Sequence, residues 1–188
     1  MKNKLKHLFQ DLLDLIEDRA LADKVVDVLT DAAEQGNWQP EDLEKIPFTL
    51  LTNTQGINLI EHTKAVTYAS LGIADALEKA YKNLPYSINR DWLIAGGILH
   101  DVGKFIEIGR DENGNYIKSH RGKLLRHPIS GAILAAHHGL GEEIQNIIAN
   151  HAKEGEGRPQ RIETVLIHQA DFATFNPMVM MEKKILIT

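Results

Sequence analysis

The segment WLIAGGILHD, residues 92–101, constrains the fold of this chain more than any other segment. Drawn as a helix it is apolar on every side, and such a helix is stable only in the centre of a domain. Asp91 is a candidate N-cap for it, and Gly96 and Gly97 are expected to let a neighbouring helix come close. A histidine and an aspartate follow the apolar run directly. The sequence therefore predicts a central helix that ends on ionisable residues in need of partners.

Helical spacing of apolar residues continues through most of the chain. It predicts two amphipathic helices over residues 3–19 and 21–34, and a long helix over residues 59–77 that carries His62 on its apolar stripe. A short helix and a loop are expected over residues 41–56. Patterns typical of strands are nearly absent, so we predict an all-α helical bundle.

The second half of the chain predicts three more helices and one hairpin. Pro128 suits the first turn of a helix over residues 128–137, a further helix is expected over residues 142–152, and the last helix contains HQADFATF. The segment IGRDENGNYIKSH carries an Asn-Gly turn signal and predicts a surface hairpin or loop. This hairpin is a candidate mobile rim over a site.

Composition limits the classes of protein to which the chain can belong. Its 188 residues suffice for a single domain, 1–188, and its hydrophobic fraction of 43% and charged fraction of 25% are typical of globular proteins. The formal net charge of −5 gives no electrostatic basis for binding long nucleic acid, and the absence of cysteine excludes disulfides and thiolate zinc sites. No signal peptide or membrane span is recognisable, so no membrane contact is expected and the cytoplasm is the default location. The oligomeric state is open, as is the presence of a segment after MEKKILIT.

Nine histidines, most of them after residue 95, are the compositional exception. His151 and His62 each share a buried stripe with apolar residues of their helices, and Asp171 is expected to face inward as well. A single inward histidine is most often a hydrogen-bonded core residue, but a buried carboxylate without a partner costs several kcal/mol. Inward imidazoles and carboxylates on separate helices, His100 and Asp101 among them, therefore indicate a site for divalent metal ions.

The order of these residues resembles a known family. His62, then His100-Asp101 within HDVGK, then Asp171 within ADFAT, resembles the H...HD...D order of the HD-domain metal-dependent phosphohydrolase superfamily. The resemblance covers about residues 58–176, the HD core, and leaves the N-terminal helices, residues 1–50, outside it.

Two further stretches resemble the members that hold two metals. His127, followed by Pro128 and Gly131, is similar to their HPxxG stretch, and His151 lies where they have another histidine ligand. The HD-GYP subgroup is matched only in part, because HAKEGEGRP lacks its second histidine and its glutamate, and Arg158 stands where its tyrosine would be.

The resemblance implies an all-α HD-domain bundle with a metal site between the central helices. It implies two divalent transition ions, for which Fe, Mn, Ni, Co and Zn all suit such ligands. Asp101 would bridge the two ions. Three further residues would complete the ligand set of the first ion, and two would complete that of the second. The implied ligands are His62, His100 and Asp171 for the first ion, His127 and His151 for the second, and Asp101 for both.

The same resemblance implies hydrolysis of a phosphate ester by metal-activated water, with Asp101 and Lys104 as the catalytic residues. The substrate would be a small phosphorylated molecule, a nucleotide or a related compound, held by Lys104, Arg158 and Arg161. Gly103 is expected to free the backbone to turn. His137 and His138 are expected to stay outside the site, and His168 is a candidate hydrogen-bond partner of Asp171.

Two other interpretations are open at this point. The chain could be a regulatory HD domain that binds a metal or a nucleotide without turnover, although the retention of every core ligand and of Lys104 argues against this. It could also be a structural helical protein with hydrogen-bonded core histidines, but that interpretation leaves the inward Asp101 and Asp171 without partners.

Overall fold

The computed structural model describes residues 1–158 and 160–187, and helices dominate it, as the sequence predicted. The helices are α1 (Lys2–Leu8), α2 (Gln10–Leu13), α3 (Arg19–Gln35), α4 (Leu59–Ala80), α5 (Arg90–Leu99), α6 (Lys104–Glu107), α7 (His120–Leu124), α8 (His127–His137), α9 (Glu142–Asn150) and α10 (Ile162–Glu182), with a 3-10 turn at Lys153–Gly155. Two strands, β1 (Ile108–Arg110) and β2 (Tyr116–Lys118), pair antiparallel and form the expected hairpin.

Helix α5 lies in the centre and packs against α2, α3, α4, α9 and α10. Every residue from Leu93 to Leu99 is buried, as an all-apolar helix requires. The two glycines in its middle allow the close approach of its neighbours. A Cβ at Gly96 would lie 2.6 Å from the side chain of Ile147 on α9, and one at Gly97 would lie 2.7 Å from Oγ1 of Thr67 on α4.

The start of α5 differs from the sequence prediction in its cap. Asn89 is the N-cap, and its side chain accepts a hydrogen bond from the backbone N–H of Trp92. Asp91 lies in the first turn instead, and its carboxylate accepts hydrogen bonds of 2.8 Å from the backbone N–H groups of Glu17 and Asp18. Asp91 therefore ties the N-terminal helices to the central helix.

Two predicted helices were wrong in extent. The helix expected over residues 3–19 is two short helices separated at Phe9, after which the chain turns until Arg19. The short helix expected within residues 41–56 is a series of turns. The segment between Pro40 and Pro47 is too short for a stable helix. Pro47 also disfavours helical geometry at the residue that precedes it. Leu43, Ile46 and Phe48 are nevertheless buried, so the turns pack tightly on the core.

The helices of the second half follow the prediction closely. Pro128 lies in the first turn of α8, and Gly139 follows that helix with a φ of 67°. Helix α9 ends at Asn150, so His151 is its C-cap residue. None of the described helices is long and apolar enough to cross a membrane. Residues of the N-terminal helices share one apolar core with α5, while the single-domain boundaries stay a prediction.

Candidate metal centre

Five helices bring the six predicted ligands to one place inside the molecule. His62 comes from the first turns of α4, Asp171 from the middle of α10, and His127 from the start of α8. The remaining three follow the last turns of α5 and α9, and they are His100, Asp101 and His151. All except Asp171 are buried, and the Asp171 side chain is only 15% exposed.

The two carboxylate oxygens of Asp101 face different pairs of histidines. Oδ2 lies 3.3 Å from Nε2 of His62 and 3.4 Å from Nε2 of His100. Oδ1 lies 3.3 Å from Nε2 of His127 and 3.5 Å from Nε2 of His151. A carboxylate in this position can serve a ligand set on each side.

The ligand atoms divide into two groups, each with its atoms within 4.8 Å of one another. Nε2 of His62 also lies 3.1 Å from Oδ1 of Asp171, which joins these two residues in one group. The first group is His62, His100 and Asp171, and the second is Asp101, His127 and His151. The histidines and Asp171 divide as the resemblance implied, but Asp101 falls in the second group alone, and its place in both ligand sets stays a prediction.

Four buried polar atoms of these residues have no hydrogen-bond partner among the described residues. They are Nε2 of His62, His100 and His151, and Oδ1 of Asp101. A buried polar atom left unpaired costs about 1–3 kcal/mol, so a cluster of four needs an explanation. Imidazole nitrogen and carboxylate oxygen are ligands for divalent transition ions, and ligation would satisfy all four atoms. The donor set therefore fits the metal ions that the resemblance implies.

Backbone carbonyls orient two of the histidine rings. Nδ1 of His100 donates to the carbonyl of Gly97 at 2.6 Å, and Nδ1 of His151 donates to the carbonyl of Ile148 at 2.8 Å. Because a carbonyl only accepts, Nδ1 carries the proton in each ring and Nε2 keeps a lone pair directed into the site. His168 contacts the site through the carbonyl of His151, to which its Nδ1 donates at 2.6 Å, and Asp171 is not its partner.

Glu107 is a functional candidate that the sequence reasoning missed. Its Oε2 accepts hydrogen bonds from the backbone N–H of His127 at 2.6 Å and from Nδ1 of the same residue at 2.8 Å. The available signal was a single acidic residue within the apolar run FIEI, where burial requires a partner. The partner lies 20 residues further along the chain, and nothing in the local pattern identifies it.

Charge and burial set the protonation states in the centre. Burial disfavours the charged form of Asp101, but the positive charge of Lys104 and the neighbouring His100 outweigh it, and the pKa of the carboxyl lies well below its usual range. Burial lowers the pKa of His127 to about 4, although its hydrogen bond to Glu107 opposes this shift. At neutral pH Asp101 is thus ionised and His127 is neutral, the forms of these two side chains that bind metals.

A cavity of about 850 Å³ opens beside the ligands. Lys104, His127 and Asp171 reach its wall. Its apolar wall comes from Phe48, Leu50, Leu51, Ile108, Tyr116, Ile117, Phe172 and Phe175, and its further cations are Lys118, Arg126 and Lys153. The hairpin expected as a rim of the site therefore does form part of the cavity wall.

The two predicted substrate-binding arginines, Arg158 and Arg161, are not among the residues that line this cavity. Arg158 is exposed. The guanidinium of Arg161 lies 4.4 Å from the ring centroid of Trp92, and its Nε donates to Glu163 at 3.0 Å. Their substrate contacts stay a prediction, while Lys118, Arg126 and Lys153 are the cations that line the cavity besides Lys104.

Comparison with known proteins gives one family and several relatives. The family model described as HD domain matches residues 59–172. A dihydroneopterin 2',3'-cyclic phosphate phosphodiesterase from Methanocaldococcus jannaschii is 35% identical over 115 residues, which cover 61% of this chain and 45% of the relative. The 3'-5' exoribonuclease YhaM from a Geobacillus species is 42% identical over 107 residues, 50% of this chain and 32% of the relative.

Ribonuclease Y from Thermotoga petrophila is 31% identical over 116 residues, which cover 62% of this chain and 18% of the relative. The chain thus matches less than half of the length of each of these relatives. No solved structure gives a significant match.

Proposed function

The chain belongs to the HD domain family, and from this premise we propose that it is a metal-dependent hydrolase of phosphate esters. The observation that supports this most is the position of Asp101, whose Oδ2 faces His62 and His100 while Oδ1 faces His127 and His151. A buried carboxylate shared between two groups of ligands is suited to two divalent ions held side by side.

The proposed ligands of the first ion are His62, His100, Asp101 and Asp171, and those of the second are Asp101, His127 and His151. When bound, ions of this kind would supply Lewis-acid stabilisation of a phosphoryl oxygen and a lowered pKa for water, the expected nucleophile. The protein contributes the geometry: the carbonyls of Gly97 and Ile148 hold the rings of His100 and His151 with Nε2 directed inward.

Lys104 is proposed to hold an oxygen of the substrate phosphate. Its side chain is 14% exposed, it lines the cavity, and its Nζ donates to Oδ2 of Asp101 at 2.6 Å. An ammonium group has three donors, so Nζ can keep its bond to Asp101 and still donate to a phosphate oxygen. The positive charge would offset the negative charge that builds up on the phosphoryl group during hydrolysis.

The cavity supports a small phosphorylated substrate with a planar ring, such as a nucleotide. Its volume of about 850 Å³ is in the range of small-molecule sites. Phe172 and Phe175 of α10 and Phe48 give an aromatic wall, and nucleobases stack readily on such rings. Two relatives are named as a cyclic phosphate phosphodiesterase and an exoribonuclease, and both activities cleave phosphodiesters. We therefore propose a phosphodiester or monoester of a nucleotide-like compound.

The regulatory alternative has less support. All six metal-binding candidates are present and lie together, and Lys104 stands between Asp101 and the cavity. A domain that had lost turnover would be free to lose any of them. The cytoplasmic location stays a prediction.

A metal-dependent assay tests the proposal. The purified protein, stripped with a chelator, would be reloaded separately with Mn²⁺, Fe²⁺, Ni²⁺, Co²⁺ or Zn²⁺, and its metal content measured. Each preparation would be assayed against bis(p-nitrophenyl) phosphate, nucleoside monophosphates, and 2',3'- and 3',5'-cyclic nucleotides. Phosphate ester hydrolysis that requires a metal is expected, and Asp101→Ala should abolish it. A protein that binds no ion, or that binds ions and hydrolyses none of these compounds, contradicts the proposal.

A further inference from the structure

Glu107 holds one ligand histidine through two hydrogen bonds. Its Oε2 accepts from the backbone N–H of His127 at 2.6 Å and from Nδ1 of the same residue at 2.8 Å. The other oxygen, Oε1, lies 3.3 Å from Nζ of Lys118 on β2, and the Glu107 side chain is only 14% exposed. The carboxylate is thus fixed on one side by the hairpin and fixes His127 on the other.

The bond to the backbone also places the start of α8. Arg126, the N-cap residue of this helix, makes no side-chain capping bond. Glu107 supplies an acceptor for the first N–H group of the helix from 20 residues away. A negative charge there is favoured by the helix dipole as well. One carboxylate therefore sets both the backbone position and the ring orientation of His127.

His127 differs in this from the two histidines whose rings are held by backbone carbonyls. Nδ1 of His100 and Nδ1 of His151 donate to the uncharged carbonyls of Gly97 and Ile148. A carboxylate acceptor makes an imidazole a better electron donor at its other nitrogen than a carbonyl does, and loss of such a partner typically weakens metal binding by 10–100-fold. The other nitrogen of His127, Nε2, lies 3.3 Å from Oδ1 of Asp101.

We propose that Glu107 is a positioning residue that sets the metal affinity of the group formed by Asp101, His127 and His151. This inference rests on the proposed two-ion site. Glu107 acts from behind the ring, because Nδ1 and Nε2 lie on opposite sides of an imidazole, and it does not bind the ion itself. The group formed by His62, His100 and Asp171 does not depend on it.

The variant Glu107→Gln tests this, because it keeps the side-chain volume and removes the charge. Binding of Mn²⁺ and Co²⁺ to the full chain would be measured by titration calorimetry, and metal content after dialysis by elemental analysis. We expect one ion to bind as in the wild type and the dissociation constant of the other to rise about 10–100-fold. Glu107→Leu, which removes the acceptor altogether, should weaken the same ion further.

The ion that is lost identifies the position. His127→Ala should lose the same ion, so the visible spectrum of Co²⁺ at the remaining position should match between His127→Ala and Glu107→Gln. The matched control is Asp31→Asn, since the Asp31 carboxylate lies 2.9 Å from Nε2 of His138, outside the site. This control should bind both ions as the wild type does.

The inference is overturned if Glu107→Gln binds both ions as tightly as the wild type does. It is also overturned if the variant loses the same affinity for both ions. If Glu107→Leu does not fold, Glu107→Gln alone decides. The proposed function has its own readout, the hydrolysis of phosphate esters by the wild type. A wild type that binds two ions without hydrolysing any ester removes the proposed function and leaves this inference intact. A wild type that binds one ion only overturns the inference.

Discussion

Nζ of Lys104 lies 2.6 Å from Oδ2 of Asp101, three residues earlier in the chain. Oδ1 of the same carboxylate has no hydrogen-bond partner among the described residues. The two oxygens of Asp101 therefore have different surroundings, although both face histidines. Lys104 stabilises the ionised form of Asp101 and presents the same ammonium group to the cavity.

The first prediction concerns Lys104→Met, which keeps the length of the side chain and removes its charge. We expect kcat for a phosphate ester to fall by about 10²–10³-fold, the usual cost of losing one donor to developing charge. Both ions should stay bound, because no ligand is removed, and elemental analysis checks this. The control is Lys64→Met, which removes a lysine paired with Asp11 at 2.8 Å outside the site and should leave kcat unchanged. If Lys104→Met loses metal, the role of Lys104 is to maintain the metal site, and the proposed contact with the substrate phosphate is not supported.

A second prediction compares the two carboxylates of the centre. Asp101→Asn should lose most of both ions and all measurable activity, because its two oxygens serve the two groups. Asp171→Asn should weaken the binding of one ion only. Oδ1 of Asp171 contacts His62, and Asp171 belongs to the first group alone. Metal content per chain after dialysis distinguishes the two variants. Equal losses in both would argue against a shared Asp101.

The third prediction concerns the number of ions. His151→Ala should reduce the metal content from two ions per chain to one, since only the second group contains this residue. His62→Ala should do the same by emptying the first group. The double variant should bind none. If His151→Ala leaves the metal content unchanged, the centre holds a single ion and the two-ion proposal is wrong.

A fourth prediction follows from the pKa of Glu107. Burial would raise it, but the hydrogen bond and the charge of His127 lower it from 4.5 to about 2. Since the pKa is lower in the folded protein, this interaction stabilises fully above pH 4.5, and its contribution is lost as the pH falls toward 2. Urea unfolding of chelator-treated protein should show Glu107→Gln less stable by about 1–3 kcal/mol at pH 6.

The difference between wild type and Glu107→Gln should shrink as the pH is lowered from 4.5 and should nearly vanish near pH 2. Glu112→Gln is the control, because Glu112 is an exposed residue of the hairpin turn, and this variant should not become more like the wild type as the pH falls. A difference between wild type and Glu107→Gln that does not change with pH would show that the charge of Glu107 contributes nothing to stability.

The fifth prediction concerns Gly103, where the expected role was wrong. Its φ of −63° and ψ of −15° are ordinary helical values, so the backbone does not need a glycine to turn. A Cβ there would instead lie 2.1 Å from the carbonyl oxygen of His127.

Gly103→Ala should push α8 away and lower the free energy of unfolding by about 1–3 kcal/mol. Gly72→Ala is the control, because a Cβ at Gly72 meets nothing within 4 Å, and it should be neutral or slightly stabilising. Thermal unfolding checks both variants, and equal melting temperatures would contradict the prediction.

Helical periodicity explains why so much of the fold could be predicted. An apolar run such as residues 92–99 can be stable only inside a bundle, and the regular spacing around His62 identifies the buried face of α4. The prediction failed where local pattern and packing compete. Residues 41–46 look helical, but the flanking prolines and the burial of Leu43 and Ile46 favour successive turns.

The sequence by itself determined which residues face the interior: His62, His100, Asp101, His127 and His151 are all buried. Helical spacing and the H...HD...D order selected most of them, and the resemblance to the HPxxG stretch selected His127. Only the tertiary structure decided what each one meets. The bond from Glu107 to His127, the division of the Asp101 oxygens between two groups, and the stacking of Arg161 on Trp92 join elements far apart in the chain. Such contacts depend on how the helices cross, and a periodicity of 3.6 residues gives the face of a helix but not its neighbour.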